Sequence, residues 1–185
     1  NFKMRALAHA HEHELQQRLK QMEQQLENGA PASEAYQWLH WQYFLQIERQ
    51  LDQENDAPRW LEQPAIAGIV IDAWKFTEKH FGTLVHAVSV MPNHVHAVIR
   101  LPETGLSLQE IMQRHKGFTA RQANTFLGRN GSFWQPETFD RVVRPGKLPV
   151  RIAYTLHNPV KAGLVQHPLD WTGTYLAEDW MELLE

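Results

Sequence analysis

With 185 residues, the chain can hold one domain with a substantial core, or one domain and an appendage. A hydrophobic fraction of 43% and a charged fraction of 21% exclude a disordered or fibrous chain, and no apolar run approaches the ~18 residues that span a membrane. Cysteine is absent, which excludes disulfides, thiolate metal ligands and a cysteine nucleophile, while the formal net charge of −3 excludes a uniformly basic protein.

The polar opening residues carry no secretory signal, and because the chain starts at Asn1 rather than Met we expect residues upstream of it. Leu7, Leu15, Leu19, Met22 and Leu26 lie near helical spacing within 3–28, and Asn28-Gly29 ends that helix. Ser33 is placed to cap a second helix, whose apolar face is Tyr36, Leu39, Tyr43, Phe44, Ile47 and Leu51. Together they predict a Gln- and Glu-rich helical hairpin over residues 1–57, an insertion or appendage to a main domain at 58–185. Pro64 suits the first turn of a third helix, which runs to about residue 80 and stops at Gly82. Two β-rich runs, 84–91 and 94–101, flank the turn pair Pro92-Asn93 and predict a hairpin. Residues 107–127 are helical with an expected break at Gly117, and 133–144 read as extended. Pro149 opens a helix that must stop before Pro159. The tail beyond Gly163 is expected to wrap the core. This order predicts an α+β domain with a mainly antiparallel sheet covered by helices.

The net charge conceals a split. Residues 1–63 hold six Lys/Arg and ten Asp/Glu, whereas residues 103–161 hold nine Lys/Arg and four Asp/Glu. Such asymmetry points to an anionic partner for the second segment better than the overall isoelectric point does.

Two candidate sites stand out. Residues i and i+2 of a strand share a face, so His94 and His96 would present two imidazoles side by side, a good metal-ligand pair. Taken alone, strand histidines more often face solvent or pack, and His86 on the neighbouring strand is structural or a supporting partner. The second site is Tyr154 on the short helix. Asn158 at i+4 shares its face and offers a carbonyl oxygen to a hard cation, as His157 at i+3 offers a nitrogen. Most tyrosines near a helix end are packing residues, and a phenol needs a charged or metal-activated setting to attack at neutral pH.

The segment Met91-Pro92-Asn93-His94-Val95-His96 resembles the His-hydrophobic-His signature of the HUH endonuclease superfamily. Leu108–Arg121, Phe133-Trp134-Gln135, Phe139–Arg144, and Tyr154 with Asn158–Val165 follow in order. The series is similar to that of the REP-associated tyrosine transposases, over roughly residues 58–172. The resemblance implies a ferredoxin-like or RRM-like nuclease core. It makes Tyr154 the nucleophile, and His94, His96 and Asn158 the ligands of Mg2+ or Mn2+. It implies attack on a single-stranded DNA phosphate, with a 5′-phosphotyrosine intermediate and a free 3′-hydroxyl, at hairpins formed by REP-like palindromes. Asn rather than Lys four residues after the tyrosine fits transposases better than replication initiators. A bacterial cytoplasmic monomer, rather than a dimer, is the implied setting.

Arg114, Lys116, Arg121, Arg129, Arg144 and Lys161 are then candidates for DNA contact, with Phe118, Phe133 and Trp134 as stacking surfaces. One departure is that the opening core strand of that family is not found; it lies upstream or the sheet lacks it. Two other functions stay open. One is a domesticated hairpin-DNA-binding protein without transposition, and the other is a zinc hydrolase.

Overall fold

The computed structural model describes residues 58–136 and 138–184, together with Gln17, Gln21, Gln42 and Gln46. Those four glutamines are helical; the expected hairpin over 1–57 otherwise lies outside the described residues. The rest belongs to one compact unit, Asp56–Glu185.

A 3-10 turn at Trp60–Glu62 leads into helix α1, Pro64–Phe81. Proline at its start needs no N–H, and Ile66, Val70 and Trp74, four residues apart, are buried along one face. Gly82 ends the helix in the left-handed region, at φ 69°. Strand β1 (Leu84–Val90) turns through Pro92-Asn93 into antiparallel β2 (Val95–Arg100). Helix α2 follows at Leu108–Phe126. Ser107 caps it reciprocally with Glu110: the serine Oγ accepts from the Glu110 N–H (3.3 Å), and the Ser107 N–H donates to the carboxylate (2.9 Å). Gly117 does not interrupt α2, because the capping box and the buried row Ile111, His115, Thr119 and Ala123 hold the helix on both sides of it. Among the described residues of 133–144 there is no regular element, so the extended reading there is not a strand.

Helix α3 spans Leu148–Leu156, and a separate short helix α4 spans Asn158–Lys161. The expected helix stop therefore falls at His157. Pro159 has no N–H to give to the carbonyl one turn back, which ends the ladder. The tail does more than wrap the core. After a 3-10 turn at Pro168–Asp170, residues Thr174–Leu176 form strand β3, antiparallel to β1, and a 3-10 helix at Glu178–Leu184 follows. The sheet order is β2-β1-β3. Sequence reading missed β3 because three residues are too few for alternation to show.

The sheet is covered on both faces. Val85, Val88 and Val90 pack with Ile66, Val70 and Trp74 of α1 and Ile111 and Ala123 of α2. On the other face Ala87 and Val98 meet Ile152 and Leu156 of α3. An irregularity between Val85 and Ala87 inserts His86 without a cross-strand partner. It resets the alternation, so that Val85 and Val88, three apart, reach the same core.

Candidate functional site

The two histidines are placed by the hairpin turn. β2 begins at Val95, so His94 precedes the strand, and its carbonyl accepts from the Met91 N–H at 2.8 Å. Val95 sits opposite Val90 and packs into the core under α1 and α2. His96, opposite Ser89, therefore lies on the other face, the one that α3 covers through Ala87 and Val98.

Across that turn the His94 and His96 Nε2 atoms stand 2.9 Å apart, with the rings nearly perpendicular at 87°. The side-chain oxygen of Asn93 lies 2.7 Å from His94 Nδ1. That oxygen accepts, so the His94 proton sits on Nδ1 and its Nε2 carries a lone pair. Burial pushes the His94 imidazole down to about 4. His96 is pushed down to about 3, by burial first and then by the charges of His94 and Lys161. Both rings are neutral at pH 7, the state in which imidazole binds a metal. Among the described residues, no group of three His, Cys, Asp or Glu side chains comes together as a metal site. A third ligand from the described residues would be of another type.

Tyr154 occupies α3 two residues past Ile152, which anchors the helix on the sheet. The Lys161 ammonium, at the end of α4, lies 3.4 Å from the centre of the Tyr154 ring. The same ammonium lies close enough to His96 to oppose its protonation. Lys161 thus lies on the Tyr154 ring and also acts electrostatically on His96. Asn158, which opens α4 instead of continuing α3, is buried at 8% exposure, and its Nδ2 makes no hydrogen bond. Leaving a buried donor unmet costs about 1–3 kcal/mol unless a ligand meets it. His157 Nδ1 donates to the Ala153 carbonyl at 2.8 Å, closing α3.

The remaining candidate residues divide by environment. Lys116 reaches the carbonyls of Gln135 and Pro136 at 3.0 and 3.3 Å and holds that loop to α2. Arg129 donates to Asn124 Oδ1 (2.8 Å) and the Ser132 carbonyl (3.1 Å), and stacks 3.9 Å above the Trp60 ring. Trp134 donates to Thr119 Oγ1 at 2.9 Å, and Phe133 stacks on Trp60 at 5.4 Å, so both rings pack against the core. Arg114 lies over the Phe81 ring at 5.4 Å, and Arg121, Phe118 and Arg144 are exposed.

Sequence reading missed two further features. Asn93, which orients His94, was legible only as a turn residue; its adjacency to the histidine was the available signal. Arg141, held below the usual arginine range by burial and then by Arg151 and Arg144, shows that three arginines gather near the start of α3. Of these, Arg144 alone had been singled out, since the other two come together only through the turn between them.

Comparison with known proteins bears on this arrangement. The family model described as "Transposase IS200 like" matches residues 60–143, which include both histidines and end before Tyr154. A protein of Haemophilus influenzae, provisionally named a REP-associated tyrosine transposase, is 28% identical over 109 residues. The match covers 54% of this chain and 62% of the relative, a little under two thirds of its length. No solved structure matches the chain. The paired histidines thus lie in a segment similar to the IS200-like transposases, and the family match and the relative together support the resemblance of this chain to the REP-associated tyrosine transposases.

Proposed function

We propose that the chain is a metal-dependent, single-tyrosine DNA endonuclease and strand transferase acting on single-stranded DNA beside palindromic hairpins. The observation that carries this reading is the neutral His94–His96 pair at the start of β2, with Lys161 lying on the Tyr154 ring and acting on His96.

The donor set fits a divalent cation. The two Nε2 atoms lie within hydrogen-bond distance of each other at 2.9 Å, and a cation that displaced the proton between them would meet both lone pairs. His94, His96 and the Asn158 carbonyl oxygen would hold Mg2+ or Mn2+, which when bound polarises a non-bridging phosphate oxygen.

The Tyr154 oxygen attacks the phosphorus, the bond to the 3′-oxygen breaks, and the phenol proton is released as the 3′-hydroxyl forms. The phosphodiester energy stays in a 5′-phosphotyrosine bond, so rejoining to another 3′-hydroxyl needs no ATP. Lys161 is suited to neutralise the phosphate as it approaches the ring.

The test is to incubate the protein with a hairpin-bearing single strand and Mn2+ and to look for a protein–DNA adduct in a denaturing gel. Wild type is expected to form it, Tyr154→Phe to bind DNA without forming it, and His94→Ala to lose metal-dependent cleavage. An adduct of undiminished yield from Tyr154→Phe sinks the assignment. DNA binding by wild type with no adduct would favour the domesticated hairpin-binding protein.

A further inference from the structure

Helix α2 presents a solvent face that the fold itself does not account for. Gln113, Arg114, Gly117, Phe118 and Arg121 are all exposed along it. Between Ile111 and Pro136 the chain has four Lys/Arg and no Asp or Glu, in a protein whose net charge is −3. Two of those cations, Lys116 and Arg129, are engaged in holding the neighbouring loop. Arg121 and Arg114, the latter also lying over the Phe81 ring, are exposed on the outer face.

Gly117 sits between them, in the middle of a 19-residue helix. Glycine is a poor helix former because it loses the most backbone freedom. Its usual justifications do not apply here. It is not among the glycines with positive φ, and a Cβ added to it would meet no described residue within 4 Å. Neither backbone geometry nor packing among the described residues calls for glycine, whereas close approach by a partner to this domain would. Arg114 and Arg121 are seven residues apart, about 10 Å along the axis, which leaves room for one sugar–phosphate backbone to pass between them. Beyond Arg121 the face continues into an open cavity of about 500 Å³ at the last turn of α2, lined by Arg121, Asn124, Thr125, Arg129 and neighbouring loop backbone.

We propose that the outer face of α2 docks the double-stranded stem of the DNA hairpin, with Gly117 admitting the sugar–phosphate backbone between Arg114 and Arg121. A duplex is favoured over a loose strand because a rigid backbone cannot bend around an intervening side chain. Phe133 and Trp134, the rings that would stack on unpaired bases, are half-buried and packed against the core and each other. This inference rests on the DNA-processing reading for its ligand, but it needs none of the chemistry. It can therefore fail while that reading stands.

Gly68 of α1 supplies an internal control. It too is helical with open space at its Cβ position, but Asp72 lies one turn on and no arginine flanks it. The experiment uses the full chain carrying Tyr154→Phe, in metal-free buffer. It measures thermal unfolding, and binding of a hairpin and of an unstructured strand by fluorescence anisotropy. Gly117→Ala and Gly68→Ala are each expected to raise Tm by roughly 2–4 °C. Gly117→Ala should weaken hairpin binding several-fold and Gly117→Gln at least tenfold, with Gly68→Ala unchanged. Arg114→Gln and Arg121→Gln should each lower the slope of log affinity against log salt by about one.

Unchanged hairpin affinity in Gly117→Gln overturns the proposal, as does a loss confined to the unstructured strand. A fall in Tm for Gly117→Ala would show that the glycine serves the fold, and overturns it as well. The adduct assay above decides the chemistry separately.

Discussion

Burial sets the protonation of a third histidine in the domain, away from the candidate site. His115 is 5% exposed; its ring packs on Trp74 at 4.2 Å and its Nε2–H donates to the Val70 carbonyl at 3.3 Å. Burial pushes it down to about 4, with Lys116 adding to the effect and the Val70 bond opposing it. In the unfolded chain the same imidazole takes a proton near 6.5. On acidification the unfolded state is protonated first, so stability falls as pH drops from about 6.5 towards 4. The contribution at stake is at most ~3 kcal/mol. We expect Tm to fall between pH 7 and pH 4.5, and to fall less steeply in His115→Gln. Parallel pH profiles for the two proteins would show that another group governs acid sensitivity. The composition displays eleven histidines without distinguishing them; what separates His94, His96 and His115 from the other described histidines is how deeply each is buried.

Among the elements, the helix ends at Pro64 and Gly82 and the hairpin turn were legible and the sheet edge was not. Pro64 and Gly82 mark helix ends through local chemistry, and the Ser107–Glu110 capping box, which the sequence reading passed over, does the same for α2. Replacing Ser107 with Ala should cost ~1 kcal/mol, read as a lower midpoint in urea unfolding. β3 depends instead on a contact across more than eighty residues. The Val90 N–H donates to the Gly173 carbonyl and the Trp171 ring N–H to the Val90 carbonyl, each at 2.8 Å. A Cβ at Gly173 would collide with that Val90 carbonyl and with the Trp171 ring nitrogen. Gly173→Ala should therefore destabilise by about 1–3 kcal/mol and free Trp171, with a red-shifted tryptophan emission. Unaltered stability and fluorescence in this variant would refute the contact. A glycine in a polar tail gives no hint of this in sequence, because the partner backbone is far along the chain.

For the molecule as a whole, the domain division at 57/58 is a proposal about autonomy. The described unit has cores on both faces of its sheet, formed by its own residues. A fragment covering 58–185 is expected to unfold cooperatively and to retain hairpin binding. A fragment with no thermal transition by circular dichroism would show that residues 1–57 are needed for folding. No helix among the described residues is long and apolar enough to cross a membrane.

By itself the sequence determined the three longer helices of the domain, the β1–β2 hairpin with its turn and the ordered motifs, because each depends on neighbours within a few residues: periodicity, Pro and Gly at helix ends, and the Pro-Asn pair. It also singled out His94, His96 and Tyr154, through a resemblance in which order carries the information. Tertiary structure alone decided which cations are exposed. Lys116 and Arg129 bond to the loop, whereas Arg114 and Arg121 face outward. It also decided that Lys161 lies on the Tyr154 ring, through a helix break that Pro159 makes inevitable but does not aim. The physical reason is common to these cases. A side chain's charge and size are written in the chain, but its solvent exposure and its partners depend on segments that meet only when the sheet and helices close around it.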